Sequence, residues 1–428
     1  MVTLGRHRVE ALAGTLLGRA LEQPGCPICW QQAEVADWRL WYLLREGPDT
    51  LGTSEAGLSA LGLCRQHLWA IHDEEYRDLG SRVQTAMLCE LALSALDRRW
   101  SAAGGDTPAR LGCPPAPCPL CQATAQDERR ACASLFYSLR FPDVRAHYAA
   151  GSGLCLRHLA VALPGAEAGV ARLLLESAAR RLREVSDDPM QLCAVLHGRD
   201  PGQPTERAAT RPRLTPPLAP GIGCPACAAR ARAESTSARR LLERVASGAK
   251  REPTMNAWLC GQHAWALLAR APSRAATVFA LEARAVMAEL GRLLAEMPRP
   301  ERQAQSLLGR LFRARRPHRP ALPRPDCNIC AAGSAGLAQG GADSGRYCLP
   351  HARPIVLSGD ETAVATAWPT LHARLMALSA GIDAYIRKQQ WERRGDAWGE
   401  AGLAVPCAVA FLVGEHPEPL CLDAPGGP

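Results

Sequence analysis

Four times in this chain two cysteines stand three positions apart, and each time a cysteine–histidine pair of the same spacing follows. The copies are CPIC (Cys26, Cys29) with CRQH (Cys64, His67), and CPLC (Cys118, Cys121) with CLRH (Cys155, His158). Then come CPAC (Cys224, Cys227) with CGQH (Cys260, His263), and CNIC (Cys327, Cys330) with CLPH (Cys348, His351). Between the halves lie 34, 33, 32 and 17 residues. Three thiolates and one imidazole are a donor set that Zn2+ accepts in closed, four-coordinate structural sites. The repetition implies three to four zinc ions per chain, the last copy being the altered one.

Other chemistry is open to the same residues. A CPxC pair also serves disulfide oxidoreductases, but there it follows a strand in a βαβ unit, and no strand pattern precedes it here. An iron–sulfur cluster with Cys3His ligation is the alternative cofactor. Cys89, Cys113, Cys132, Cys193, Cys407 and Cys421 fall outside the quartets; Cys89 and Cys132 lie on helical patterns and read as small core residues. His72 reads as a helix-surface residue, with support of the nearby ligands as the alternative. Trp38, Trp41, Trp69, Trp258 and Trp265 sit at helical spacing near the motifs and read as packing around them.

The elements that must hold these ligands are helices. Residues i and i+3 share a helix face, so CxxC and CxxH each present two ligands together. Proline suits a first turn, where its missing N–H costs nothing. Thiolates at a helix N-terminus are favoured by its dipole. Between the halves of the first three copies runs one long helical pattern, such as QQAEVADWRLWYLLRE. After each CxxH come a short apolar helix and a longer amphipathic one. The fourth gap, AAGSAGLAQGGADSGRY, is too short and Gly-rich for the intervening helix. Each unit is expected to close its own quartet, stapling two helix starts and acting nearly independently of its neighbours.

The expected fold class is therefore all-α, an array of helical modules each stapled by a Cys3His zinc site. The modules span 1–100 with an N-terminal helix, 113–197, 221–300, and 325–428 for the degenerate fourth with a C-terminal segment. Pro-, Gly- and Arg-rich linkers separate them.

Composition agrees with a folded protein. Of 428 residues, 47% are apolar and 21% charged, while aromatics make up only 5%. The formal charge of +8 demands neither a nucleic-acid nor a membrane partner. No signal-peptide pattern opens the chain, and its longest apolar run, AGLAVPCAVAFLVG, is too short to span a bilayer and contains Pro406. The expectation is a cytoplasmic protein, where eighteen cysteines point to metal or thiol chemistry rather than disulfides. The most basic stretch holds Arg310, Arg313, Arg315, Arg316, Arg319 and Arg324. It reads as a solvated linker or as a phosphate-binding arm.

CPxC, a helix, GLCxxH and a further helix, together with the ending IRKQQWERRGDAWGEAGLAVPCAVAFLVGEHP, resemble an uncharacterised bacterial family of cysteine-rich helical proteins. The resemblance covers the ligand motifs and about the last forty residues; it implies the fold and no activity. The chain departs from the pattern at Asn328, which stands where the other copies have proline.

No Gly-rich phosphate loop, nucleophile–base pair or inward carboxylate cluster is present. The expectation is a non-enzymatic scaffold or adaptor for another protein. A nucleic-acid-binding or regulatory protein using the arginine stretch is the first alternative. A thiol-based redox or metal-responsive sensor is the second.

Overall fold

A proline that opens a helix needs a preceding residue with extended backbone, and cysteine fills that place here. In the computed structural model, Cys118 and Cys224 are the N-caps of helices that begin on Pro119 and Pro225. Cys64, Cys155 and Cys260 cap the helices of the CxxH motifs in extended conformation. The structure describes residues 15–46, 63–102, 118–200, 223–247, 259–297, 327–337, 346–357, 361–390, 401–416 and 420.

Among the described residues there are sixteen α-helices and no strand. The first unit supplies α1 (Leu16–Glu22), α2 (Pro27–Glu46), α3 (Arg65–Leu79) and α4 (Val83–Ala102). The second supplies α5 (Pro119–Ser138), α6 (Pro142–Ala150), α7 (Leu156–Ala162), α8 (Ala168–Glu184) and α9 (Pro189–His197). The third is α10 (Pro225–Ala246), α11 (Gly261–Arg270) and α12 (Pro272–Glu296). The fourth is α13 (Asn328–Leu337), α14 (Leu349–Leu357), α15 (Glu361–Lys388) and α16 (Ala401–Val413). The all-α class is as the sequence predicts. The fourth gap does hold a helix, α13, although only ten residues long.

Helices α2 and α5 run antiparallel. Leu43 and Leu44, at the end of α2, share a cluster with Cys118 and Leu120 at the start of α5. At the other end, Ile28 of α2 shares a core with Cys132 and Leu135 of α5. The third and fourth units repeat the arrangement, with α13 packed closely along α10. Gly333 lies against the Glu234 side chain, which a Cβ there would overlap.

The two pairs are then closed on each other. Helix α4 packs against α15 and α16, and α12 packs against α8 and α9. One core therefore joins the second unit to the third, through Leu174, Leu175 and Leu192 with Phe279, Val286 and Leu290. The other joins the first to the fourth, through Trp69, Leu93 and Trp100 with Leu371, Ile382 and Phe411. Stripes at helical spacing explain this packing. On α8, Val170, Leu174, Ala178 and Leu182 are buried, and each such leucine contributes roughly 1.5–3 kcal/mol by burial. The four units form a ring, joined alternately by ligand sets and by apolar cores.

Candidate metal centres

Where each CPxC lies relative to a CxxH follows from helix length. A 20-residue helix such as α2 is about 30 Å long, so its own CxxH follows its far end. The antiparallel partner brings its own CxxH to the near end instead. Four groups of ligand atoms result, each within 4.8 Å of one another. Site A is Cys26, Cys29, Cys155 and His158; site B is Cys64, His67, Cys118 and Cys121. Site C is Cys224, Cys227, Cys348 and His351; site D is Cys260, His263, Cys327 and Cys330.

All sixteen residues singled out from the sequence are thus brought together, and the Cys3His composition holds at every site. The expectation that each unit closes its own quartet is corrected: every site takes its CPxC from one unit and its CxxH from the paired unit. The two halves of the fourth unit serve two different sites, and Asn328 in place of proline does not prevent either.

The geometry suits one ion per site. Sulfurs lie 3.7 Å apart for Cys29–Cys155, Cys64–Cys121 and Cys260–Cys330. At site C Cys348 lies 3.6 and 3.8 Å from Cys224 and Cys227. These distances are far from a disulfide bond. They match the edge of a tetrahedron with metal–sulfur bonds of about 2.3 Å, which is about 3.8 Å. Every histidine turns Nδ1 toward the sulfurs, for example 3.2 Å from Cys29 and from Cys155 at site A.

Thiols this close cannot all ionise unaided. The hydrogen bond from Cys64 draws Cys118 down to about 3, against its burial. Its own bond to Cys118, together with burial, pushes Cys64 up. Site D repeats this: Cys260 holds Cys327 at about 3, while burial and the Cys327 charge push Cys330 up to about 11. A divalent cation at the centre removes the conflict and releases the retained protons.

The outer nitrogen of His158 is held, and that of His263 approached, by residues the motif search missed. Gln32 Oε1 lies 3.2 Å from His158 Nε2, and Glu128 Oε1 lies 3.1 Å from it. Glu234 Oε2 stands 3.9 Å from His263 Nε2. Burial opposes protonation of His263, but Cys327 and Glu234 outweigh it and raise its pKa to about 9. Carboxylates in this position fix the tautomer that leaves Nδ1 for the metal. Each is ten residues past the first cysteine of a CPxC (Cys118, Cys224), a regularity visible in the sequence.

Two glycines cover sites A and C. Gly198 (φ +88) would place a Cβ 3.0 Å from Cys29 Sγ and 3.5 Å from Cys155 Sγ. Gly414 (φ +96) would place one 3.5 Å from Cys227 Sγ. Their carbonyls are held from the other half of the ring: Trp265 Nε1 donates to Gly198 at 3.1 Å, and Trp69 Nε1 donates to Gly414 at 3.0 Å. Each tryptophan stands two residues after a ligating histidine, so site D braces site A and site B braces site C. Glu415 adds a bond from Cys224 N–H to its carboxylate at 2.7 Å.

Elsewhere the sequence reading is adjusted. His72 is buried, not on the surface, and bonds Asp73 at 3.0 Å. Burial raises the Asp73 pKa, but His416 and His72 outweigh it and hold the carboxyl below its usual range. His197 pairs with Glu282 at 2.9 Å inside the core. Trp69 packs as expected, whereas Trp38 and Trp41 are exposed. Cys89, Cys132 and Cys193 are buried free thiols. Cys113, Cys421, Trp258 and the six arginines from Arg310 to Arg324 lie outside the described residues.

The fold and sites define a helical protein with four Cys3His groups able to hold metal ions. Comparison with protein-family models, curated proteins and solved structures finds no match.

Proposed function

We propose that the chain is a zinc-stapled helical scaffold that binds another protein, works in the cytoplasm and catalyses no reaction. The carrying observation is that all four ligand sets are complete within the protein, three thiols and an imidazole each. A tetrahedral ion so held keeps no position for a substrate. Ligand atoms this close favour one zinc ion per site over a cluster, whose thiolates bind separate irons. No described helix is long and apolar enough to cross a membrane.

A protein partner is supported by the exposed face of α2. Trp38 is 43% exposed and stacks on Tyr42 at 5.2 Å, and Trp41 stands beside them. Exposed aromatics of this kind supply the anchors of protein interfaces. Metal analysis of protein purified without added metal tests the first half: four equivalents of zinc and no colour are expected, and a brown protein or fewer than two equivalents contradicts it. Affinity capture with wild type beside Trp38→Ser/Trp41→Ser tests the second. A partner held by wild type and lost from the variant supports it; an unchanged set of captured proteins contradicts it.

One observation favours a sensor as a second reading. Cys121 of site B is exposed, unlike every other ligand. Peroxide could oxidise Cys121 and Cys64 to a disulfide, two thiolates yielding two electrons and the peroxide becoming water, with zinc released. Release of one equivalent ahead of the others supports this reading; simultaneous loss of all four speaks against it.

A further inference from the structure

The outer side of the α10–α13 pair carries a furrow with a cavity volume of about 920 Å³. Its floor is small: Ala229, Ala233, Thr236 and Ser237 from α10, with Ala332 and Ala335 from α13. Arg232, Arg240 and Arg244 rise along its rim and are exposed. A second depression of about 370 Å³ continues it past Glu243 to Arg239, Arg270 and Arg274. Among the described lining residues, Arg232, Arg240, Arg244, Arg270 and Arg274 thus face one carboxylate, Glu243, across the two depressions, and α13 contributes no charge. Arg230 and Glu234 are engaged with each other at 2.9 Å and stand apart from this balance.

We propose that this furrow seats the sugar–phosphate backbone of double-stranded DNA, bound without regard to sequence. The rim arginines span about 18 Å along α10, enough to meet several phosphates of a duplex. Arginine presents the planar fork that pairs with phosphate oxygens. Among the described residues, the larger depression is lined by no Leu, Ile, Met or aromatic side chain, so they offer none of the apolar anchors that an amphipathic partner helix uses. It also lacks the aromatic platforms on which single strands stack. Duplex RNA is read through its 2′-hydroxyls, and the hydroxyls here, on Thr236 and Ser237, lie half-buried on the floor beneath the arginine rims. The face is distinct from the aromatic one on α2 and adds a second binding activity to the scaffold.

The experiment is fluorescence anisotropy of a labelled 20-bp DNA duplex with the metal-loaded full chain, from about 0.03 to 0.2 M salt. Each phosphate contact contributes about −0.9 to the slope of log K against log salt. The variant Arg232→Gln/Arg240→Gln/Arg244→Gln is expected to make that slope shallower by about 2.7. Affinity at 0.05 M salt should fall at least tenfold, with helicity and zinc content unchanged. A second variant, with the six arginines from Arg310 to Arg324 as Gln, should still show that difference when the three rim arginines are also replaced. An unchanged slope in the rim variant overturns the proposal, as does no DNA binding at 0.05 M salt. Tighter binding of a 20-bp RNA duplex assigns the furrow to RNA instead. Rim-dependent binding of a glutamate-rich helical peptide, with DNA unbound, assigns it to a protein.

Discussion

Replacing Gly198 by alanine perturbs site A from outside both of its motifs. The residue combines φ +88 with ψ −172, a region open almost only to glycine, and an L-residue held there costs about 1–3 kcal/mol. The added Cβ would lie 3.0 Å from Cys29 Sγ and 3.5 Å from Cys155 Sγ. Carbon contacts relax at about 3.5–4.0 Å, so the carbon must move back by about half an ångström or more. Neither neighbour would yield readily, since a metal bound at site A would fix both sulfurs and the Gly198 carbonyl is tied to Trp265 at 3.1 Å. Overpacking of this kind adds about 1–3 kcal/mol.

Taking only 2 kcal/mol of the combined cost as felt by the bound metal, site A should weaken roughly 30-fold, since 1.4 kcal/mol is tenfold. Chelator competition on the zinc-loaded protein measures this directly. One equivalent should leave well before the remaining three, whereas wild type should release no such early fraction. Gly169→Ala is the control, because nothing lies within 4 Å of a Cβ there. The reasoning is refuted if Gly198→Ala holds all four equivalents as wild type does, or if its release is spread evenly over the four sites.

Two further perturbations bear on the same account. Cys64→Ser should raise hydrogen exchange at the start of α5, around Cys118 and Cys121, as much as at the start of α3; a change confined to 63–102 contradicts the exchanged ligand sets. Glu128→Gln should lower the metal affinity of site A by roughly 10- to 100-fold, as loss of such outer partners usually does, and Glu234→Gln should do the same to site D. Changes below threefold for both would remove these carboxylates from the metal sites.

The ligands themselves were legible because metal chemistry constrains residue type and spacing within a single helix turn. The helices were legible for a similar local reason: apolar periodicity and proline at first turns. Which CPxC meets which CxxH was not legible, because it depends on how the two CPxC helices of a pair pack, and a sequence carries no mark of antiparallel pairing. Unit repetition even misled, since four equal units suggest four closed modules. Trp69 and Trp265 show the same limit. Their position two residues past a histidine could be read, but their bonds reach glycines of the opposite pair. Gly198 and Gly414 carry no mark in the sequence, and only the approach of sulfur atoms reveals why a side chain is absent. His72 was misplaced because its own helix says nothing of His416, which arrives from beyond α16 to bond Asp73 and pack on Trp69.

Cadmium-113 substitution followed by proton–cadmium correlation spectroscopy tests the exchanged ligand sets most directly, because each cadmium reports the cysteines and histidine bound to it. Four resonances are expected. One should correlate with Cys26, Cys29, Cys155 and His158, and another with Cys64, His67, Cys118 and Cys121. A single cadmium correlated with Cys26, Cys29, Cys64 and His67 would contradict the account.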